Sequence, residues 1–235
     1  IWITGQDVNH IKNVLRKKVD EKLKICNSDT STNYECVITK IDKDKIICKI
    51  IDEIKLSSES NLNITIFQGL PKSGKMELII QKCTELGVKT IIPMVTQRSV
   101  VKLKEKDKEN KRNRWQKIAE VAAKQCGRDK IPAIGNIIDM EKLNFKDQDI
   151  VIALYENEEN TSIKQVIENL KTLKKEKINI AVVIGPEGGF NPTEIDKIKN
   201  DEKVVVATLG KRILRTETVG MVITGILMYE LGDLN

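Results

Sequence analysis

The chain has 235 residues, 40% apolar and 31% charged, with a net charge of +6; this excludes a disordered or fibrous protein, suits one large or two modest globular domains, and admits an anionic partner. Its longest apolar run falls far short of the roughly eighteen residues a membrane span needs, and no charged-then-apolar leader opens it, so a cytoplasmic protein is expected. Five cysteines without a C-x-x-C spacing, beside a single histidine, His10, exclude a zinc site and read as reduced thiols.

The sequence opens on Ile1-Trp2-Ile3, which reads as the middle of a strand, with a few native residues expected before it. A helix is predicted over Val8 to Val19, where His10, Ile11, Val14 and Leu15 fall at near-helical spacing. Arg16 to Lys24 is a basic stretch that serves either as a solvated face or as a contact for an anionic partner. Strands at Tyr34 to Ile41 and Lys45 to Ile51 flank the hairpin turn Asp42-Lys43-Asp44. Short strands without crossover helices favour a small barrel over residues 1–68. The Ser- and Asn-rich stretch Ser57 to Asn63 reads as a linker.

Strands and helices then alternate. Strands are predicted at Ile64 to Gln68, Thr90 to Val95, Ile150 to Tyr155, Ile178 to Ile184 and Val204 to Leu209, and helices at Met76 to Leu86, Arg114 to Cys126, Ile163 to Leu173 and Glu217 to Leu231. That order gives a parallel sheet with helices on both faces. Residues 102–112 are too charged to bury and read as an exposed loop and helix start. Gly69 to Lys75 matches a phosphate-binding loop until Met76 stands where a metal-ligating hydroxyl is needed, so nucleotide binding is the weakest reading. Lys72 and Lys75 better suit contact with the phosphates of an anionic partner.

Two glycine-bearing turns follow the last two strands. Ile184-Gly185-Pro186-Glu187-Gly188-Gly189-Phe190 leads into Asn191-Pro192-Thr193-Glu194, a helix start with Asn191 as cap. Leu209-Gly210-Lys211-Arg212-Ile213-Leu214-Arg215 leads into Thr216-Glu217-Thr218, where Thr216 or Thr218 is expected to cap the final helix. Both lie at the carboxyl ends of parallel strands, where open α/β sheets bind ligands. Cations crowd the second turn beyond what a connection needs.

These turns resemble the signature of the SPOUT methyltransferases, and in detail the RsmE family, with support from Lys75-Met76-Glu77, Gln81-Lys82, Glu85-Leu86-Gly87, Arg98-Ser99, Trp115 to Ala119 and Gln125-Cys126-Gly127-Arg128. The resemblance implies an α/β fold: a PUA-like β-barrel over 1–68 that holds RNA, and a SPOUT domain over 69–235 with a C-terminal trefoil knot, working as a homodimer. It implies methylation of N3 of a uridine in small-subunit ribosomal RNA, with S-adenosylmethionine as cofactor and no metal. Val219-Gly220 departs from the family's usual residues, a matter of helix packing.

By resemblance, Leu154, Ile184, Gly185, Glu187, Gly188, Leu209, Ile213, Leu214 and Thr216 surround the cofactor. N3 of uridine carries a proton, so either a base removes it or cations stabilise the resulting anion. Glu217 is the best carboxylate for the base, and Arg215 either holds Glu217 ionised or stabilises the uracil oxygens. Arg98 and Arg128 are expected as uracil or phosphate contacts, with Arg16, Lys72 and Lys75 on the RNA. A non-catalytic RNA-binding or ribosome-assembly factor on the same fold is the main alternative.

Overall fold

The structure is a computed structural model that describes residues 1–27, 30, 32–54, 58–72, 74–99, 103–173 and 175–234. Parts of the predicted linker, the phosphate-loop look-alike and the charged run, at residues 57, 73 and 102, lie outside these. The chain divides into two units, Ile1–Ser58 and Glu59–Asn235.

In the first unit, strands β1 (Trp2–Thr4), β2 (Lys22–Asn27), β3 (Thr32–Ile41) and β4 (Lys45–Ile54) form an antiparallel sheet in the order β1-β4-β3-β2. The turn at 42–44 closes through the Asp42 N–H donating to the Lys45 carbonyl at 2.8 Å. Alternation puts Cys36, Ile38, Ile46 and Cys48 on one face, where Val8 and Ile11 pack on them. Two register shifts along β3 bend the sheet. The predicted helix is shorter than its apolar spacing suggests. Helix α1 (Gln6–Asn9) passes into a wide turn over His10–Val14, and Arg16 then takes a left-handed φ of 54° that ends it. Strand β2 occupies part of the stretch read as a charged face.

The second unit is built on seven parallel strands. Its elements are β5 (Leu62–Gly69), α2 (Lys75–Glu85), β6 (Thr90–Val95), α3 (Glu105–Cys126), β7 (Ala133–Ile134), β8 (Ile138–Asp139), β9 (Ile150–Leu154), α4 (Ile163–Lys171), β10 (Ile178–Ile184), α5 (Pro192–Ile198), β11 (Val204–Ala207) and α6 (Thr216–Leu231). The order is β11-β9-β10-β5-β6-β7, with β8 also on β6. Since β5 pairs with β10 along its whole length, the division between units falls before the boundary expected after residue 68.

The apolar runs are buried on both faces. Ile64, Ile66, Ile152, Ile180 and Val182 pack with α2, α3, α4 and α6 on one side. Phe67, Val151, Ala153, Ala181 and Val183 meet α5, Phe145 and Phe190 on the other. Each fully buried Ile or Val contributes about 1.5–3 kcal/mol, so the sheet is a rigid platform for the loops at its carboxyl end. Helix α3 starts earlier than predicted, within the charged run, where exposed pairs such as Glu105 with Lys108 at 2.7 Å support it without apolar periodicity. On α6, Gly220 packs closely on α2, since a Cβ there would lie 3.3 Å from Cys83 Sγ.

Candidate active site

Three loops leave the carboxyl ends of β9, β10 and β11 side by side and enclose a cavity of about 880 Å³, a size that suits a small organic cofactor. The loop after β10 turns at Gly189, whose φ is +65° and whose N–H donates to the Pro186 carbonyl at 2.9 Å. Helix α5 then starts with the predicted capping box: Thr193 N–H on the Asn191 side chain at 3.1 Å, Asn191 N–H on Glu194 at 2.8 Å, and Pro192 in the first turn. Glu194 is buried and also accepts the Gln97 N–H at 2.8 Å, which ties this loop to the one after β6.

Two glycines allow the loop its close approaches. A Cβ on Gly69 would lie 2.6 Å from both Cδ and N of Pro186, and one on Gly188 would lie 3.2 Å from Arg98 Cβ. Arg98 supports the loop from that side, its Nη1 donating to the Gly188 carbonyl at 2.9 Å.

The loop after β11 turns at Gly210, φ +110°, whose N–H donates to Thr208 Oγ1 at 3.1 Å. Helix α6 begins with Arg215 as cap residue and no side-chain cap bond, so neither Thr216 nor Thr218 caps it. The Thr216 hydroxyl instead donates to the Gly185 carbonyl at 2.7 Å and accepts from Gln68 Nε2 at 2.9 Å. Gln68 is fully buried at the end of β5, so this relay joins β5, the Gly185 loop and α6 at one point.

Outside the cavity lining, the Lys75 ammonium sits 3.1 Å from Glu187 Oε1 and 3.1 Å from Glu217 Oε2. The Glu217 contact is an ion pair rather than an aligned hydrogen bond. Glu187 also accepts the Lys72 N–H at 3.1 Å. Burial alone would raise the Glu187 carboxyl, but its own backbone N–H, Lys75 and the Lys72 N–H outweigh that and hold it below its ordinary 4.5. The carboxylates of Glu187 first and Glu217 second, paired with its ammonium, hold Lys75 above its ordinary 10.5. The Glu187 contribution to stability is present above its unfolded pKa and lost as pH falls through the depressed folded one. The Lys75 contribution is lost only as pH rises through its raised value. The cluster is therefore intact across neutral pH.

Residues 58–228 match the RNA methyltransferase domain and residues 3–51 the RNA methyltransferase PUA domain. The chain is 36% identical to the ribosomal RNA small subunit methyltransferase E of Bacillus subtilis, over 97% of this chain and 89% of that one. The chain belongs to the small-subunit ribosomal RNA methyltransferase E family. Two solved structures agree. The family enzyme of Neisseria gonorrhoeae bound to S-adenosylmethionine is 27% identical with a TM-score of 0.84, covering 100% of this chain and 93% of that one. A putative methyltransferase of Legionella pneumophila with the same cofactor is 28% identical with a TM-score of 0.84, again over 100% and 93%.

The cavity of this methyltransferase E relative gathers Leu154, Ile184, Gly185, Glu187, Gly188, Leu209, Ile213, Leu214 and Thr216, together with Arg215. Ile213 is 85% exposed there, an apolar side chain without cover. Arg215 is exposed; its carbonyl accepts the Thr218 and Val219 N–H groups, and its guanidinium makes no hydrogen bond or ion pair among the described residues.

Several expected residues lie elsewhere. Glu217, expected as the base, is not part of the cavity lining, and its partner is Lys75 rather than Arg215. Lys75 is committed to two carboxylates instead of a phosphate. Arg128, expected as a uracil or phosphate contact, has a side chain 6% exposed, with its guanidinium engaged by Glu59 and by the carbonyls of Thr84 and Val88. Arg16 is exposed in the first unit, and Lys72 is exposed in the second. The backbone N–H of Lys72, in the segment that mimics a phosphate-binding loop, is taken by Glu187. Gln68 was missed, although a lone amide closing an apolar strand was a visible signal. Among the described residues, no group of three or more His, Cys, Asp or Glu side chains could hold a metal, and no helix is long and apolar enough to cross a membrane.

Proposed function

We propose that this chain transfers a methyl group from S-adenosylmethionine to N3 of a uridine in small-subunit ribosomal RNA, in the cytoplasm and as a homodimer. The observation that carries the reading is the cavity between two glycine loops with an unengaged arginine, Arg215, in its lining. The cofactor fits the donor set. Gly185 and Gly188 line the cavity at points where a Cβ would crowd Gly189 and Arg98 at 3.2 Å, and Leu154, Ile184, Leu209, Ile213 and Leu214 offer apolar surface to adenine.

Bound there, the cofactor supplies an electrophilic methyl with a built-in leaving group. The chain's own part is mainly positioning. The Thr216 hydroxyl has its proton on Gly185 and its lone pair on Gln68, so it acts as a brace that sets the loop. Arg215 favours loss of the N3 proton by stabilising the anion that spreads onto the flanking uracil oxygens. Glu217, held away on Lys75, helps shape the start of α6. The first unit, matched to the PUA domain of such enzymes, and the exposed Arg16, Lys72 and Arg98 are read as the RNA-holding part.

The trefoil knot is implied by family and fits loops that must stay rigid around the cofactor. A second copy is supported by one face of α6: a Cβ on Gly225 would meet nothing within 4 Å, and Tyr229, one turn on, is 62% exposed. Sedimentation should show a dimer that Tyr229→Glu weakens; a monomeric wild type would end the dimer reading.

The decisive experiment is methyl transfer from labelled S-adenosylmethionine to small subunits lacking the modification, followed by nucleoside analysis. N3-methyluridine is expected, with Arg215→Ala lowering kcat on the order of 10²–10³-fold, as for loss of one charge-stabilising group, and leaving cofactor affinity within a few-fold. A different product or an unchanged Arg215→Ala rate refutes the assignment. No transfer with intact RNA binding would favour the non-catalytic alternative.

A further inference from the structure

Lys75 lies in neither of the glycine loops, yet it touches both ends of the site. Its ammonium is 3.1 Å from Glu187 on the loop after β10 and 3.1 Å from Glu217 in the first turn of α6. On the cavity side these two segments are joined by the Thr216 hydroxyl on the Gly185 carbonyl. All three side chains of the cluster are largely shielded, Lys75 at 29% exposed and each glutamate at 20%. The Lys72 N–H adds a second bond to Glu187, so the start of α2 grips the loop twice. One buried carboxylate oxygen of Glu217 has no aligned donor, so without Lys75 it would be an uncompensated charge.

We propose that Lys75 is a positioning residue: it clamps the Gly185–Gly189 loop to the start of α6 from outside the cavity and so fixes its width. The cation expected on RNA would thereby act on the cofactor through two glutamates. The clamp itself follows from the ion pairs; only its effect on S-adenosylmethionine rests on the function proposed above.

The test compares wild type, Lys75→Met, Lys75→Arg and Lys72→Met in the full chain. Hydrogen exchange at 185–189 and 216–219 is the first readout, because it needs no ligand. Both segments are expected to exchange roughly tenfold faster together in Lys75→Met, between the small effect of an exposed pair and the large one of a buried pair, with Lys75→Arg near wild type. Unchanged exchange in both segments overturns the clamp, whatever the cofactor does. Glu187→Gln should reproduce the effect, and adding it to Lys75→Met should cost little more; full additivity counts against the clamp.

S-adenosylmethionine affinity and the salt dependence of RNA binding form the second readout. Lys75→Met should weaken the cofactor roughly tenfold and leave the salt slope alone, whereas Lys72→Met should lower the slope by about 0.7–0.9 with cofactor affinity unchanged. The reverse pattern makes Lys75 a phosphate contact and refutes the proposal. A wild type that binds no S-adenosylmethionine refutes the proposed function, and the exchange result still decides the clamp.

Discussion

Replacing Arg128 by Met is expected to cost about 3–5 kcal/mol, the usual penalty for removing one partner of a buried ion pair. Its guanidinium makes two bonds to Glu59, Nε at 3.2 Å and Nη2 at 2.6 Å, and Nη1 reaches the carbonyls of Val88 at 2.7 Å and Thr84 at 3.1 Å. Methionine fills a similar volume but supplies no donor. The Val88 and Thr84 carbonyls would each lose a donor, and the Glu59 carboxylate, 17% exposed, would keep the Lys130 N–H but lose the Arg128 cation. For a protein of this size each kcal/mol lowers Tm by about 2–4 °C, so a drop of about 6–20 °C should appear in thermal unfolding. Arg128→Lys keeps the charge but not the planar fork, and should recover only part of the loss. A Met variant within 2 °C of wild type would show that the Arg128 bonds are dispensable.

Gly69→Ala should strike binding harder than stability. The added methyl would meet Cδ and N of Pro186 at 2.6 Å and the Gly185 carbonyl carbon at 2.9 Å, all in the loop after β10. Backbone and a proline ring cannot swing aside as a flexible side chain can. The loop must shift by a substantial part of an ångström, and overpacking of this kind costs about 1–3 kcal/mol. A misplacement near 1 Å at a reacting centre lowers rate on the order of 10²-fold, so kcat/KM should fall by that order while the chain stays folded. Calorimetric titration with S-adenosylmethionine should show weakened binding. Wild-type affinity and rate in a folded Gly69→Ala protein would mean that the loop does not depend on this contact.

How much of this was legible in sequence depended on whether a signal was local. The run Ile178 to Ile184, the glycines after it and the Asn191 to Glu194 cap state their own structure within a dozen residues. The cavity was readable for the same reason, because both its main loops follow such runs. Arg128 and Lys75 were not. A cation beside a motif can meet a phosphate or a carboxylate, and the choice lay with Glu59, Glu187 and Glu217, far away in the chain. Strand β2 hid because Lys22-Leu23-Lys24-Ile25 alternates correctly but carries lysines on its open face. The early turns of α3 hid because helix stability there comes from charge pairs rather than an apolar stripe. The short N-terminal helix failed for a backbone reason, the left-handed turn at Arg16.

The strand order has a consequence for how the chain is made. β10 lies between β5 and β9, and the Asn63 side chain donates to that of Asn179 across 116 residues of sequence. Until residue 184 has left the ribosome, the inner edge of β5 has no neighbour and Ile64 and Ile66 lack half their cover. At about 5–20 residues per second that interval lasts several seconds. The early half must wait, sticky and open-edged, for its central strand, and non-local parallel pairing closes slowly even then. An enzyme that serves ribosome maturation thus itself passes through an exposed nascent stage, when chaperone capture competes with completion of the sheet.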